Sequence, residues 1–264
     1  MFVALEVRPQ PRRFFLWKWL LGSEDILYET GRAAGAAYSV IVSASSAGIP
    51  WNRVEQAAGR EAWRILLPEN VVPPPGSRVR QYEPSSFSFR LLLNAMERVL
   101  EGKKNMCIAV YDEQAVFPEC LPELGLYAKD LRVVTLRPAA YRMQAERLVL
   151  EWGLSVLITE NHCAAEQADA IFAPCGFGKL CRPDTLVFTP RGKTQSGTAV
   201  SAGAFLPPKR VAGEIPVQYD SMRFCAALYE QCRAFTAPEI CSDGVIMQGK
   251  QLGFHQCAQN LIRY

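Results

Sequence analysis

The chain has 264 residues, of which 49% are hydrophobic and 21% charged. That is enough apolar material for one large packed domain or two small ones, and it excludes an intrinsically disordered chain. Twenty-nine basic residues against 26 acidic ones leave a net charge of +3, too small an excess to point to nucleic acid.

Residues 1–80 read as a first, smaller α/β region. Phe2 to Val7 is strand-like, Phe14 to Tyr28 looks helical, and Tyr38 to Val42 has the aromatic and β-branched residues of a strand. A helix over Trp51 to Trp63 and a strand over Arg64 to Leu67 come next, and then Pro73-Pro74-Pro75-Gly76 breaks regular structure and marks a boundary. The basic residues Arg8, Arg12, Arg13 and Lys18 read as solvated surface. The apolar run Phe14 to Leu21 behind Arg12 and Arg13 is interrupted by Lys18 and is shorter than the ~20 residues a bilayer needs. The expectation is a cytoplasmic chain without a membrane partner.

Residues 84–205 form the most legible region. A helix is predicted over Ser85 to Glu101, with Phe89, Leu92, Leu93, Met96 and Leu100 on one face and Gly102 at its end. Cys107 to Tyr111 is a short apolar run, the mark of a strand buried on both faces. Residues 115–128 read as a helix broken up by Pro118 and Pro122. Leu131 to Leu136 is a second strand, and Pro138 opens a helix whose stripe is Tyr141, Ala145, Leu148, Val149 and Trp152, ended by Gly153. Ser155 to Thr159, Ala170 to Ala173 and Leu186 to Thr189 are further strands, and residues 190–203, rich in Gly, Ser and Thr, read as a loop. Residues 206–264 form a return segment with a helix over Asp220 to Arg233, packing on the preceding domains.

Strands alternating with helices at this spacing give an α/β fold with a doubly wound parallel, Rossmann-like sheet and helices on both faces. Ligands of such sheets bind beyond the carboxyl ends of the strands at the topological switch point. The residues expected there are Asp112, Thr135 to Pro138, Thr159 to His162 and Pro174 to Gly178.

The stretch Leu131-Arg132-Val133-Val134-Thr135-Leu136-Arg137-Pro138 resembles the second strand of NADP-binding Rossmann domains of the shikimate dehydrogenase and glutamyl-tRNA reductase group. Ala168-Asp169-Ala170-Ile171-Phe172-Ala173-Pro174 looks like the later strand of those domains that leads to the nicotinamide side. The resemblance covers residues 84–190. It implies NADP as the cofactor, with Thr135 and Arg137 at the adenosine 2′-phosphate. The phosphate loop departs from that pattern. G-x-G-x-x-G lets backbone amides approach a pyrophosphate at a helix start, but the first strand here runs into Asp112-Glu113-Gln114-Ala115-Val116-Phe117-Pro118, without glycine and with two acids. The substrate-side signatures of shikimate dehydrogenase are absent from residues 1–80, so neither that activity nor its catalytic residues transfer.

The candidate cofactor-binding residues are Asp112, Thr135, Arg137, Cys175, Gly176 and Lys179. Asp112 reads as a ligand to a ribose or a cation, or as a turn residue. Arg137 reads as a bidentate phosphate ligand, or as an exposed arginine at a helix start. Cys175-Gly176-Phe177-Gly178-Lys179 has two glycines and a lysine to shape an anion loop, with Lys179 near enough to activate the Cys175 thiol, but it is no Walker A sequence. His162 and His255 are the only histidines; each reads as an acid–base group or a structural residue, and no nucleophile pairs with them in the sequence, so the catalytic residues stay open. The nine cysteines all lie between Cys107 and Cys257, in an odd number and partly inside apolar runs, which predicts buried thiols rather than disulfides. No C-x-x-C pair occurs, and Cys225 and Cys232 on one helical face are ~10 Å apart along the axis, so no metal is expected.

The sequence supports three readings. The first is a non-catalytic protein that binds a small molecule, a nucleotide or a protein partner at the crevice. The second is an NAD(P)-dependent oxidoreductase with a divergent phosphate loop. The third is a structural or assembly module, including a homo-oligomer, in which Phe14, Phe15, Trp17 and Trp19 face a partner.

Overall fold

The computed structural model describes residues 2–8, 26–43, 48–190 and 192–259. The expected helix from Phe14 and the aromatic residues Phe14, Phe15, Trp17 and Trp19 lie outside the described residues, except at the helix's far end, Ile26 to Tyr28. The chain divides into two compact units, Met1–Phe87 with Pro207–Glu239, and Ser88–Leu206 with Ile240–Tyr264. The residues after Leu206 are thus shared between the units.

The first unit holds a four-stranded sheet of β1 (Val3–Val7), β2 (Ile26–Ala33), β3 (Ala36–Ser43) and β4 (Ile65–Leu66) in the order β2-β3-β1-β4. β1 runs parallel to β3 and β4, and β2 pairs antiparallel with β3. Ile26 to Tyr28, expected in a helix, therefore begin a strand. Its residues Leu27 to Arg32 are mostly exposed, so they lack the in–out alternation that betrays a strand in sequence. The β2–β3 turn is Ala34-Gly35, both at positive φ (+50° and +76°), which suits the twist of a two-residue hairpin. Helix α1 (Trp51–Ala58) buries Val54 and Ala58 and continues as a 3-10 turn over Gly59–Arg64.

The second unit carries the larger sheet. Helix α2 (Ser86–Leu100) enters it, ending at Gly102 with φ +78°. Then come β5 (Met106–Tyr111), a 3-10 turn (Pro118–Cys120), α3 (Leu121–Gly125), β6 (Ala128–Val134), α4 (Ala139–Trp152) and β7 (Val156–Thr159). After these lie a 3-10 turn (His162–Ala165), β8 (Ala170–Phe172), β9 (Leu186–Phe188), β10 (Thr198–Ala202) and β11 (Phe205–Leu206). The chain then returns to the first unit for α5 (Lys209–Ala212) and α6 (Ser221–Cys232), and ends with β12 (Cys241–Ser242), β13 (Val245–Met247), β14 (Lys250–Leu252) and α7 (Phe254–Gln259).

The sheet order is β14-β13-β10-β9-β8-β5-β6-β7. Every pairing from β10 to β7 is parallel, and β13 and β14 add an antiparallel edge. Numbered from β5, the six parallel strands run 3-2-1-4-5-6, the Rossmann order, and the direction of winding reverses between β5 and β8. The fold is α/β with a Rossmann-like, mostly parallel sheet.

One face carries the larger core. Ile108, Val110, Leu131, Val133, Phe172 and Phe188 pack there against Leu92, Met96 and Leu100 of α2, Leu121 and Leu124 of α3, and Tyr141 and Leu148 of α4. Val149 and Trp152, expected in the α4 stripe, remain 48% and 46% exposed. The other face is thinner: Ala109, Tyr111, Val134 and Ile171 are covered by Ala165 and Ala168 after β7 and by Phe177 after β8. The second layer of helices that double winding predicts is here a 3-10 turn and loops. The loop expected over residues 190–203 contains β10; its small residues Thr198-Ala199-Val200-Ser201-Ala202 gave no apolar run, yet Ala199, Val200 and Ser201 are buried. No helix among the described residues is long and apolar enough to cross a membrane.

Candidate functional site

The loop after β5 is closed by its own aspartate. Asp112 is fully buried, and its carboxylate accepts the backbone N–H groups of Val116 (Oδ1, 3.0 Å) and Phe117 (Oδ2, 3.0 Å) and the hydroxyl of Tyr141 (Oδ2, 2.7 Å). The Ala115 N–H bonds the Asp112 carbonyl at 3.1 Å, with Ala115 at φ +52°, a left-handed conformation that glycine adopts at less cost. Tyr141 is fully buried in α4. Burial first, then the neighbouring Cys120 and Asp112, push its phenol far up, so it remains a donor.

A dinucleotide pyrophosphate needs free amides at this turn and the start of a helix behind it. Here the Ala115, Val116 and Phe117 amides are engaged inside the loop and Pro118 has none, and the chain continues into one 3-10 turn and a five-residue helix. Phe117 fills the space behind the turn. Its ring lies 6.0 Å from Phe89 and 6.3 Å from Phe172, with the Arg90 guanidinium 5.1 Å above it. These residues do not fit a pyrophosphate at the first turn.

At the end of β6, Thr135 is 1% exposed. Its hydroxyl accepts the Arg137 N–H at 3.1 Å and lies 3.5 Å from the Glu113 carbonyl, which also accepts the Leu136 N–H at 3.0 Å. Thr135 ties two strand exits together. Arg137 is exposed just beyond, and none of the described residues pairs with its guanidinium.

The open space lies on the other side of the switch point. A groove of about 620 Å³ is lined by Tyr111 and Glu113 from the end of β5, Cys175 to Lys179 after β8, and Lys193 to Gln195 after β9. An isolated parallel bridge between Phe177 and Thr194 joins the two later loops. Gly176, at φ +106°, provides the bend of the first of them. Cys175, Gly176 and Lys179 are thus brought together here, while Asp112 and Thr135 are buried behind the strand ends.

Tyr111 and Glu113, which line this groove, belong to a cluster that no sequence motif announces. The Tyr111 hydroxyl lies 2.5 Å from Glu113 Oε1 and 3.1 Å from His162 Nδ1, and that nitrogen is 3.8 Å from Glu113. Phe177 packs edge-on against the Tyr111 ring at 5.0 Å. Burial, and then the Glu113 carboxylate, push the Tyr111 phenol up and keep it protonated. His162 is presented by the 3-10 turn after β7, where Asn161 Oδ1 accepts the Cys163 N–H at 3.0 Å. Tyr111 and Glu113 go unmarked in the sequence because the first looks like the last core residue of a strand and the second like one of two repelling acids. The contact between Tyr111 and His162 spans 51 residues. No set of three metal-binding side chains occurs among the described residues.

No protein-family model matches the chain, and no curated protein matches it. Among solved structures it is similar to Delta(1)-pyrroline-2-carboxylate reductase of Thermococcus litoralis, solved with NADH and L-proline. The identity is 17% over 39% of this chain and 36% of that one, with a TM-score of 0.28. It is similar to L-tryptophan dehydrogenase of Nostoc punctiforme, at 11% identity over 98% of this chain and 77% of that one, TM-score 0.35. It is also similar to 2R,3R-butanediol dehydrogenase of Bacillus subtilis, at 13% identity over 58% of this chain and 47% of that one, TM-score 0.28. The chain spans little more than a third of the reductase and under half of the butanediol dehydrogenase. Likeness at this level carries no argument for a shared activity, so what is established of this chain is its Rossmann-like α/β sheet.

Proposed function

We propose that this chain is a cytoplasmic small-ligand-binding protein that takes a small anion, not a dinucleotide, in the groove between Tyr111, Glu113 and the loops after β8 and β9. The Asp112 carboxylate carries the reading, because it already holds the amides and the hydroxyl that a pyrophosphate would need. The groove has the complementary chemistry: Lys179 and Lys193 supply positive charge, and the glycine-bent loop brings backbone close to a ligand. Thermal-shift and calorimetric titrations with inorganic phosphate, small carboxylates, NADH and NADPH test it. Small anions should stabilise the protein, Lys179→Ala with Lys193→Ala should remove the effect, and the dinucleotides should add nothing beyond their phosphate. Tight NADPH binding overturns it.

The second reading is an NADP-dependent oxidoreductase with a divergent phosphate loop, as the resemblance to the shikimate dehydrogenase group implies. Arg137 at the end of the second strand favours it, being exposed and unpaired among the described residues. Under that reading Arg137→Ala weakens NADPH binding by about tenfold or more, since a lost guanidinium–phosphate pair is worth roughly 1.4 kcal/mol or more.

A further inference from the structure

The groove carries charge of both signs. Glu113 lines it just beyond the end of β5, and Lys179 and Lys193 come to it on the loops after β8 and β9. Among the described residues no ion pair joins Glu113 to either lysine, and neither lysine side chain has an acidic partner. The Tyr111 hydroxyl donates to Glu113 Oε1 at 2.5 Å and holds the carboxylate at the strand end. Oε2 has no partner among the described residues, and the Glu113 side chain is 39% exposed. A bare anion drawn in by the lysines meets the repulsion of that carboxylate. A ligand with an ammonium group beside its anionic group escapes it, because each of its ends finds an opposite charge on the groove wall.

The count of charges narrows the anionic end. Two lysines against one glutamate leave the charged side chains of the groove one positive charge in excess. A phosphate monoester carries ~−1.5 to −2 at neutral pH, and an ammonium beside it brings the ligand to roughly −1, the charge that balances the groove. An amino acid or an amine on a phosphodiester has only one negative charge for the two lysines. We propose that the groove is the site of a small amine carrying a phosphate monoester, with Lys179 and Lys193 on the phosphate and Glu113, held by Tyr111, on the ammonium. This rests on the anion groove proposed above and names its ligand class, with Glu113 as the residue that sets specificity. The volume of about 620 Å³ lies within the ~300–1,000 Å³ usual for small-molecule sites.

The test is calorimetry on the full chain at pH 8, with the amide signals of Gly176 and Gly178 followed by NMR to locate binding. O-Phosphoethanolamine should bind about tenfold or more tightly than ethyl phosphate, which differs from it by the ammonium group. Glu113→Gln keeps an oxygen for the Tyr111 hydroxyl and should erase that difference, while Lys179→Ala with Lys193→Ala should weaken both ligands. β-Alanine and glycerophosphoethanolamine, the latter the diester of a lipid headgroup, should bind more weakly than the monoester. Equal binding of the two monoesters, or a preference that survives Glu113→Gln, overturns the ammonium site and leaves the anion groove standing. Equal or tighter binding of β-alanine or of the diester overturns the monoester class. No shift of the groove amides with either monoester overturns the anion groove itself and the ligand class with it.

Discussion

Asp112→Ala is the most informative single change, because three donors converge on one buried carboxylate. Removing it leaves the Val116 and Phe117 amides and the Tyr141 hydroxyl facing an empty, water-poor space. A buried donor left without a partner costs ~1–3 kcal/mol. Three of them sum to roughly 3–9 kcal/mol, reduced because a buried charge is no longer held and the loop can relax. An expected loss of about 3–5 kcal/mol is a large part of the ~5–15 kcal/mol that holds a domain folded.

Urea denaturation reads this directly. With a slope of ~2 kcal/mol per molar, the midpoint of the unit that contains Asp112 should fall by roughly 1.5–2.5 M. Tyr141→Phe removes one bond to a charged group and should cost about 1.5–3 kcal/mol alone. In the Asp112→Ala background it should cost almost nothing, because the hydroxyl it removes has already lost its partner. That non-additivity is the signature of a shared contact. Amide exchange gives a local readout: Val116 and Phe117 N–H should lose protection in Asp112→Asn before global unfolding does. A cost under about 1 kcal/mol for Asp112→Ala, or a Tyr141→Phe cost that does not depend on Asp112, refutes the internal-anion account.

Buried and partnered groups elsewhere in the chain give further expectations. Glu230 accepts the Ser85 and Phe87 amides at 3.0 and 2.7 Å and bonds the hydroxyls of Tyr82 and Ser86, so Glu230→Ala should lower stability by about 2–4 kcal/mol in a denaturant titration, and Glu230→Gln by less. Burial, with Glu123 adding to it, raises the Glu97 carboxyl to about 7. A carboxyl whose folded pKa lies above its unfolded one binds more protons when folded, so its contribution is greatest below about pH 4.5 and declines as pH rises towards 7. Glu97→Gln should flatten that decline, which a pH series of urea midpoints would reveal. Burial also raises the Cys225 thiol to about 12 and the Cys257 thiol to about 11, and Cys120 well above its usual range. At pH 8 these three should resist a thiol reagent until the chain unfolds, while exposed Cys163 and Cys175 are accessible; early modification of Cys120 would show that the core around it opens.

Much of the sheet was legible because buried parallel strands advertise themselves as continuous apolar runs. Met106–Tyr111, Ala170–Phe172 and Leu186–Phe188 each contribute buried residues to both sides of the layer, so no alternation is needed to find them, while Ala128–Val134 shows only its buried end, Leu131 to Val134. β2 and β10 were illegible for opposite reasons. β2 is an exposed edge whose apolar start, Ile26 to Tyr28, shows no in–out alternation, and β10 is buried but built from small residues that resemble a loop. Of the site, the strand ends were predictable from the order of elements, including Cys175, Gly176 and Lys179 on the groove. The direction of the Asp112 side chain was not, since the same residue reads as an outward ligand or an inward turn cap until Tyr141 is placed above it. The Tyr111–Glu113–His162 contact depends on the 3-10 turn after β7 folding back under β5, which no local pattern encodes.

Such a sheet can dispense with its glycines because of the work glycine does there. In a dinucleotide site the glycines let a tight turn form and let an external anion reach the amides. Asp112 supplies the anion from within, so the turn stays organised with no ligand, and Ala115 can sit at φ +52° because the bonds around it hold it there. Restoring a glycine alone should therefore not restore a phosphate site. Ala115→Gly relieves a left-handed alanine worth ~1–2 kcal/mol but adds chain entropy of ~0.5–1 kcal/mol, a net gain of roughly 0–1.5 kcal/mol. It should leave the thermal response to phosphate unchanged, because the carboxylate still occupies the amides. Only together with Asp112→Gly should a second anion response emerge, one that survives Lys179→Ala with Lys193→Ala. A phosphate site gained by Ala115→Gly alone would mean that the backbone of this turn, and not the aspartate beneath it, keeps the dinucleotide out.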